Sequence, residues 1–424
     1  MRALWRQTRS FGPTARLLMA NQFAINLAFY MLMPYLAAHL AGDLGLAAWT
    51  VGLVLGVRNL SQQGMFLVGG TLADRFGYRA PIIAGCLLRT AGFALLGWVD
   101  SLPALLAASA ATGFAGALFN PAVRAYLAAE AGERRVDAFA AFHVYYQAGM
   151  LLGPLVGLAL LAADFTAVCT AAAAVFAALT ALQWRALPPR RERPEPARAG
   201  VLGQWRTVVA NRPFLLFSGA MIGSYVLTFQ VYLALPLAAG LALDRNGGNG
   251  GAGAAATSGL FTVSAAVAVT GQLRLTAWAK RVWTPSGALV RGLAAMGAAF
   301  LPLLAFPWAG TAARLAALGL AVAVLAAAGA VVYPFEMDTV VALSGGRLVA
   351  THYGLYNTVS GLGITAGNLA VGALWDYGAR HDALLLPWLA LGATGLAGAA
   401  AVHRLSRAGL LRPSPAPEPA LTGA

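Results

Sequence analysis

Hydrophobic residues run through this chain in blocks of about 20, each closed by a short stretch where arginine, proline or glycine gathers. About 20 apolar residues is the length an α-helix needs to cross the hydrocarbon core of a bilayer. The pattern predicts twelve spans, over 16–38, 50–69, 80–99, 102–126, 139–161, 165–186, 213–239, 254–273, 286–306, 313–335, 349–374 and 384–404. An even number of crossings puts both termini on one side of the membrane.

The basic residues then fix which side. Of the 29 Lys+Arg, Arg245, Arg314 and Arg380 fall on the far side, Arg58 and Arg89 fall inside spans, and the rest lie in loops and span ends on the side of the termini. Positive loops stay in the cytoplasm, so both termini are expected there. The N-terminus carries Arg2, Arg6 and Arg9 without a small-residue cleavage site, and reads as a retained tail rather than a signal peptide.

The longest inner connection, 187–212, contains Pro188-Pro189-Arg190-Arg191-Glu192-Arg193-Pro194 and reads as a flexible linker. It divides the chain into a six-helix bundle over 1–186, a second over 213–410 and a cytoplasmic tail over 411–424. The outer loop 244–253 is rich in glycine and asparagine. The two halves echo each other. Tyr30-x-x-x-Pro34 answers Tyr232-x-x-x-Pro236, Pro121 answers Pro334, and Tyr146-Gln147-x5-Gly153-x3-Gly157 answers Tyr356-Asn357-x5-Gly363-x3-Gly367. Three pairs in one order argue for duplication, and paired repeats with a site between them describe alternating-access transporters.

Composition narrows the function. With 59% hydrophobic and 10% charged residues, the chain cannot clothe a soluble surface. The net charge of +14 is spread over many short loops with no basic aromatic module, so nucleic acid is not a partner. Cys86 and Cys169 lie in spans, which disfavours a disulfide or metal site. GxxxxGK[ST], HExxH, CxxC and G-x-S-x-G are all missing, so neither an enzyme nor an ATP-driven pump is expected, and no cofactor.

Gly70-Thr71-Leu72-Ala73-Asp74-Arg75-Phe76-Gly77-Tyr78-Arg79, read as a tight loop between spans two and three, resembles the G-x-L-x-D-R-x-G-x-[RK] signature of the major facilitator superfamily. The wider run from Gly52 to Phe93 is similar to MdtH-type multidrug exporters, which belong to the twelve-helix drug:proton antiporters. The resemblance implies an all-α fold of two pseudo-symmetric six-helix bundles in a bacterial inner membrane, working as a monomer on a small-molecule substrate with protons as coupling ion. It also implies that Asp74 latches the halves on the cytoplasmic side, against the N-terminus of span eleven, where a carboxylate is favoured. Arg124, at the inner end of span four, is placed to be its cationic partner. In the second half Lys280 stands where Asp74 stands in the first, which makes the latch asymmetric.

Gly149-x-x-x-Gly153-Pro154-x-x-Gly157 resembles the antiporter signature of span five, with Leu158 in place of its last glycine. Small residues at this spacing also serve plain helix packing. Arg58 and Arg89 sit near the midplane, where a cation costs at least ~2.5–3.5 kcal/mol. Arg58 shares a face with Gln62 and reads equally as a structural arginine. Many antiporters of this type carry an arginine in span four, where this chain has Ser109-Ala110-Ala111-Thr112-Gly113, and Arg89 is the candidate to replace it. None of the 15 Asp+Glu is expected mid-membrane, which favours neutral or anionic substrates. His143, Glu336 and Asp338 remain as titratable coupling candidates. The expected cavity lining is Asn26, Tyr30, Tyr146, Gln147, Tyr225, Gln230, Tyr232, Tyr356 and Asn357, polar-tipped side chains in an apolar wall.

Overall fold

The computed structural model describes residues 2–188, 200–244, 251–305, 307–381 and 383–411. The centre of the expected linker, most of the outer loop and the tail lie outside the described residues. Helices follow in the order α1 Arg2–Arg9, α2 Pro13–Gly42, α3 Ala48–Phe76, α4 Arg79–Trp98, α5 Leu102–Ala131, α6 Arg135–Leu161, α7 Phe165–Ala186, α8 Val201–Ala210, α9 Arg212–Phe229, α10 Ala234–Asp244, α11 Gly251–Val282, α12 Pro285–Ala298, α13 Thr311–Ser344, α14 Val349–Arg380 and α15 Leu385–Arg407. Short 3-10 turns over Gln230–Tyr232 and Leu301–Ala305 join α9 to α10 and extend α12.

Among the described residues, nine segments are long and apolar enough to cross a membrane, and one of them, Leu102–Leu161, holds both α5 and α6. The two further crossings are α3, which carries Arg58, Gln62 and Gln63, and α14, which carries Thr351, Tyr356 and Asn357. Gln63 and Thr351 lie where these two helices face each other. α2 to α7 pack among themselves, as do α9 to α15, and the two sets meet through α3 on α14, α6 on α11 and α13, and α5 on α14. Counted as crossings, these main seams are two on eleven and five on eight, related by the same pseudo-symmetry as the sequence repeats.

The repeated glycines set that packing. A Cβ on Gly149 would lie 2.4 Å from the Phe23 carbonyl oxygen and one on Gly157 2.1 Å from that of Met31, so both let α6 press on α2. In the second half, Gly363 and Gly367 meet Ile222 and Val226 of α9 in the same way, at 2.4 and 2.6 Å. Pro154 lies inside α6 without breaking it, and its carbonyl accepts a hydrogen bond from the Tyr35 hydroxyl at 2.6 Å.

Several boundaries differ from the sequence reading. Residues Gly70 to Phe76 form the last two turns of α3, so the motif's turn is confined to Gly77, at φ +82°, and Tyr78. Pro34 leaves α2 continuous, whereas the seventh crossing breaks over Gln230–Leu233, just before Pro236. A proline removes one donor and crowds the carbonyl four residues back, here that of Tyr232. Part of the linker is ordered: α8 buries Val208, and Trp205 Nε1 donates to Thr71 Oγ1 on α3 at 2.8 Å.

Candidate functional site

The α3–α14 crossing is close enough to exclude side chains. A Cβ on Gly70 would stand 2.2 Å from the Ala350 oxygen, one on Gly354 2.4 Å from that of Phe66, and one on Gly361 2.5 Å from Gln63 Oε1. We therefore expect Gly354→Ala to hold the bundles apart, since backbone carbonyls cannot yield the required distance. The measurement is transport beside expression level: a normally inserted variant with at least tenfold lower turnover is the expected outcome, and a wild-type rate is the contrary one.

Beside this crossing, Asp74 meets the first turn of α14. Its carboxylate accepts from the Ala350 N–H at 3.0 Å, the Thr351 N–H at 2.7 Å and the Thr351 hydroxyl at 2.6 Å. The two amides are otherwise unpartnered donors of a helix start, whose dipole favours negative charge. Arg124 does not turn to Asp74 but crosses to the other bundle, donating to Asn357 Oδ1 at 3.3 Å, with the Tyr333 hydroxyl also beside it. Arg75 is exposed, and Arg79 bonds the Trp184 carbonyl on α7, within its own bundle.

Lys280 supplies the second arm of this asymmetric arrangement. Its ammonium pairs with Asp137 in the first turn of α6 at 2.8 Å. The end of α3 thus holds the start of α14, and the end of α11 holds the start of α6, with the charges arranged differently. Arg135 adds a third tie, to Asp338 on α13 at 2.5 Å. Deeper in the seam, His143 Nδ1 lies 2.7 Å from Gln272 Oε1, stacks on Tyr333 at 4.5 Å and approaches Gln147 at 3.3 Å.

Glu336, one of the titratable candidates, lies in the interior of the protein. α13 runs on to Ser344 rather than ending near Phe335, and Glu336 is 3% exposed inside it. Tyr356 donates a hydrogen bond to Glu336 Oε1, and Tyr225 packs edge-on against Tyr356 with its own hydroxyl beside the carboxyl. Among the buried atoms near this group, Arg124 Nε, Asn357 Nδ2 and Gln147 Oε1 have no hydrogen-bond partner in the described protein. Buried polar atoms are rarely left so without a purpose.

The first bundle carries the cations. Arg58 donates to Gln62 Oε1 at 3.1 Å and lies over the Phe29 ring. Arg89 is 3% exposed, with its guanidinium carbon 4.7 to 5.9 Å from the ring centres of Phe29, Phe93, Phe119 and Phe176. Cation–π contacts of ~0.5–2 kcal/mol each offset most of the cost of placing that charge in the membrane.

The expected cavity lining divides. Tyr30 and Tyr146 approach each other at 3.4 Å, and Tyr232 lies beside Tyr30 while donating to Met150 Sδ at 3.5 Å. Tyr232 also lines an open groove of about 440 Å³ with Pro236, Leu237 and Trp375. Gln230 is different: it is fully buried within the second bundle, on Val226 O at 2.8 Å and Asn368 Oδ1 at 3.3 Å. Asn26 donates to the Gln22 carbonyl at 2.7 Å, against Gly149. Sequence reasoning passed over Tyr333, Gln272, Thr351 and the phenylalanine cage. Of these, only Thr351 carried a signal, as a hydroxyl in the first turn of the helix that faces Asp74.

Two helical bundles meeting along their most polar crossings, with charge pairs at one end and a polar cluster between them, define a multi-pass membrane transporter. The Major Facilitator Superfamily model matches residues 18–368, and the chain belongs to that family. It is 54% identical over 400 residues to an uncharacterized MFS-type transporter of Mycobacterium tuberculosis, with 94% of each chain covered. It is 30% identical over 395 residues to the multidrug resistance protein MdtH of Yersinia pestis, covering 93% of this chain and 94% of that one. Among solved structures, the fold is shared with the E. coli fucose:proton symporter FucP (TM-score 0.72, 14% identity, 92% of this chain and 98% of that one). It is shared also with the human organic anion transporter MFSD10 (TM-score 0.68, 16% identity, 92% and 100%).

Proposed function

We propose that this chain is a secondary transporter that exports a small amphipathic organic compound by alternating access, in exchange for protons. The observation that carries the reading is Glu336, an acid buried among Tyr356 and Tyr225 close to the Arg124–Asn357 contact across the seam. A carboxyl there can take up and release a proton as the two bundles rock, and an intramembrane ionisable residue is a functional candidate by default. Asp74, Lys280 and Arg135 close the cytoplasmic mouth in this state, and the orphaned polar atoms of Arg124, Asn357 and Gln147 offer the substrate its hydrogen bonds. The drug-resistance name of the Yersinia relative supports export.

A second reading is a carrier of an anionic metabolite, favoured by Arg58 and Arg89. Purified protein in vesicles, supplied with cationic, neutral and anionic compounds under an imposed pH gradient, separates the two. Substrate moving against the proton flow is the result expected; movement with it would replace export by symport. In the same vesicles Arg89→Ala is expected to slow transport at least tenfold and to change its pH profile. A wild-type rate and profile would leave Arg89 a packing residue held by its four rings.

A further inference from the structure

α1 plays no part in the transport reading, yet it is fastened down. Gln7 Nε2 donates to the Asp137 carbonyl at 3.0 Å, Arg134 donates to Ser10 Oγ at 2.8 Å, and Thr8 Oγ1 lies 3.3 Å from the Tyr145 hydroxyl. Between α1, the start of α2 and Tyr145 it encloses a groove of about 420 Å³. At its polar end stand Arg9 and Arg16; Arg9 stacks on Trp5 at 4.7 Å, and Trp5 is 56% exposed. No carboxylate among the described residues pairs with either guanidinium. Leu17 and Ala20, within one turn of Arg16 on α2 and at the start of its apolar run, also line the groove.

A groove lined by two guanidiniums without a carboxylate partner, an indole and the apolar Leu17 and Ala20, where the apolar run of α2 begins, complements one ligand chemistry. We infer that it binds an anionic phospholipid, the phosphate between Arg9 and Arg16 and the acyl chains over Leu17 and Ala20. Basic pockets and interfacial tryptophans on the cytoplasmic side are the means by which membrane proteins hold such head groups. The inference is independent of substrate and coupling.

Its test is quenching of tryptophan fluorescence in vesicles that contain brominated phosphatidylglycerol or brominated phosphatidylcholine. We expect the anionic lipid to quench one component about thirtyfold more effectively, two arginines being engaged. That component should vanish in Trp5→Phe, and the preference should fall to about onefold in Arg9→Gln/Arg16→Gln. If the double variant does not accumulate, each single variant should lose part of the preference. Equal quenching by both lipids, or an undiminished preference in the variants, overturns the inference. So does loss of the preference on adding inorganic phosphate at matched ionic strength, which would make this a site for a free anion.

Discussion

Glu336→Gln is expected to abolish transport driven by a proton gradient while leaving the protein folded and inserted. Glutamine has the same shape, and its oxygen still accepts the hydrogen bond that Tyr356 gives to Glu336, so the packing of α13 on α14 survives. What it cannot do is exchange a proton. Removing a positioned proton carrier costs about 10²- to 10⁴-fold where the proton is part of the reaction, and a loss of that order is expected in uphill transport. Substrate exchange without a gradient should persist, because the rocking of the bundles is untouched. Flux that no longer varies with pH is the companion result. Wild-type uphill transport with an unchanged pH profile would remove Glu336 from the coupling.

The second large effect is expected at Asp74. Its carboxylate gathers three donors from the first turn of α14 at 2.6 to 3.0 Å, and a hydrogen bond to a charged group contributes about 1.5–3 kcal/mol. Asp74→Asn keeps an oxygen for part of that set and loses the charge, so a net cost of about 1.5–3 kcal/mol is expected, or roughly ten- to a hundredfold in the ratio of closed to open mouths. Lys280 reports it directly. It is the only lysine in the chain, and its pairing with Asp137 closes the same end. Acylation of its side chain, read by peptide mass spectrometry, should quicken severalfold in Asp74→Asn as transport slows. Unchanged acylation and transport would leave Asp74 a cap and nothing more.

The fold could be read from the sequence because its cause is local. Blocks of apolar residues and the loops that divide them are fixed by the bilayer, and the repeats at Tyr30, Tyr146 and their counterparts record the duplication directly. α3 and α14 were legible as spans for the same reason, although their polar residues make them the least apolar of the crossings. The site was legible only where a motif marked it. Asp74 and its helix start came through, while the partner of Arg124 did not, because Asn357 lies over 200 positions away and nothing local announces the pairing. Glu336 was legible as a titratable candidate, but its partners Tyr356 and Tyr225 were not, because they lie on two other helices. Lys280 stood out as the counterpart of Asp74, but its partner did not, because Asp137, read alone, is an ordinary acidic residue in a first helical turn.

The measurement closest to the central claim is the distance between spin labels at positions 75 and 281, both exposed, at the ends of α3 and α11 beside Asp74 and Lys280, in a background with Cys86 and Cys169 replaced by serine. Two populations are predicted, the shorter dominant in the wild type and the longer enriched by Asp74→Asn and shifted by pH through Glu336. One distance, unmoved by pH, by substrate and by Asp74→Asn, would contradict the rocking of two bundles on which every other inference about transport depends.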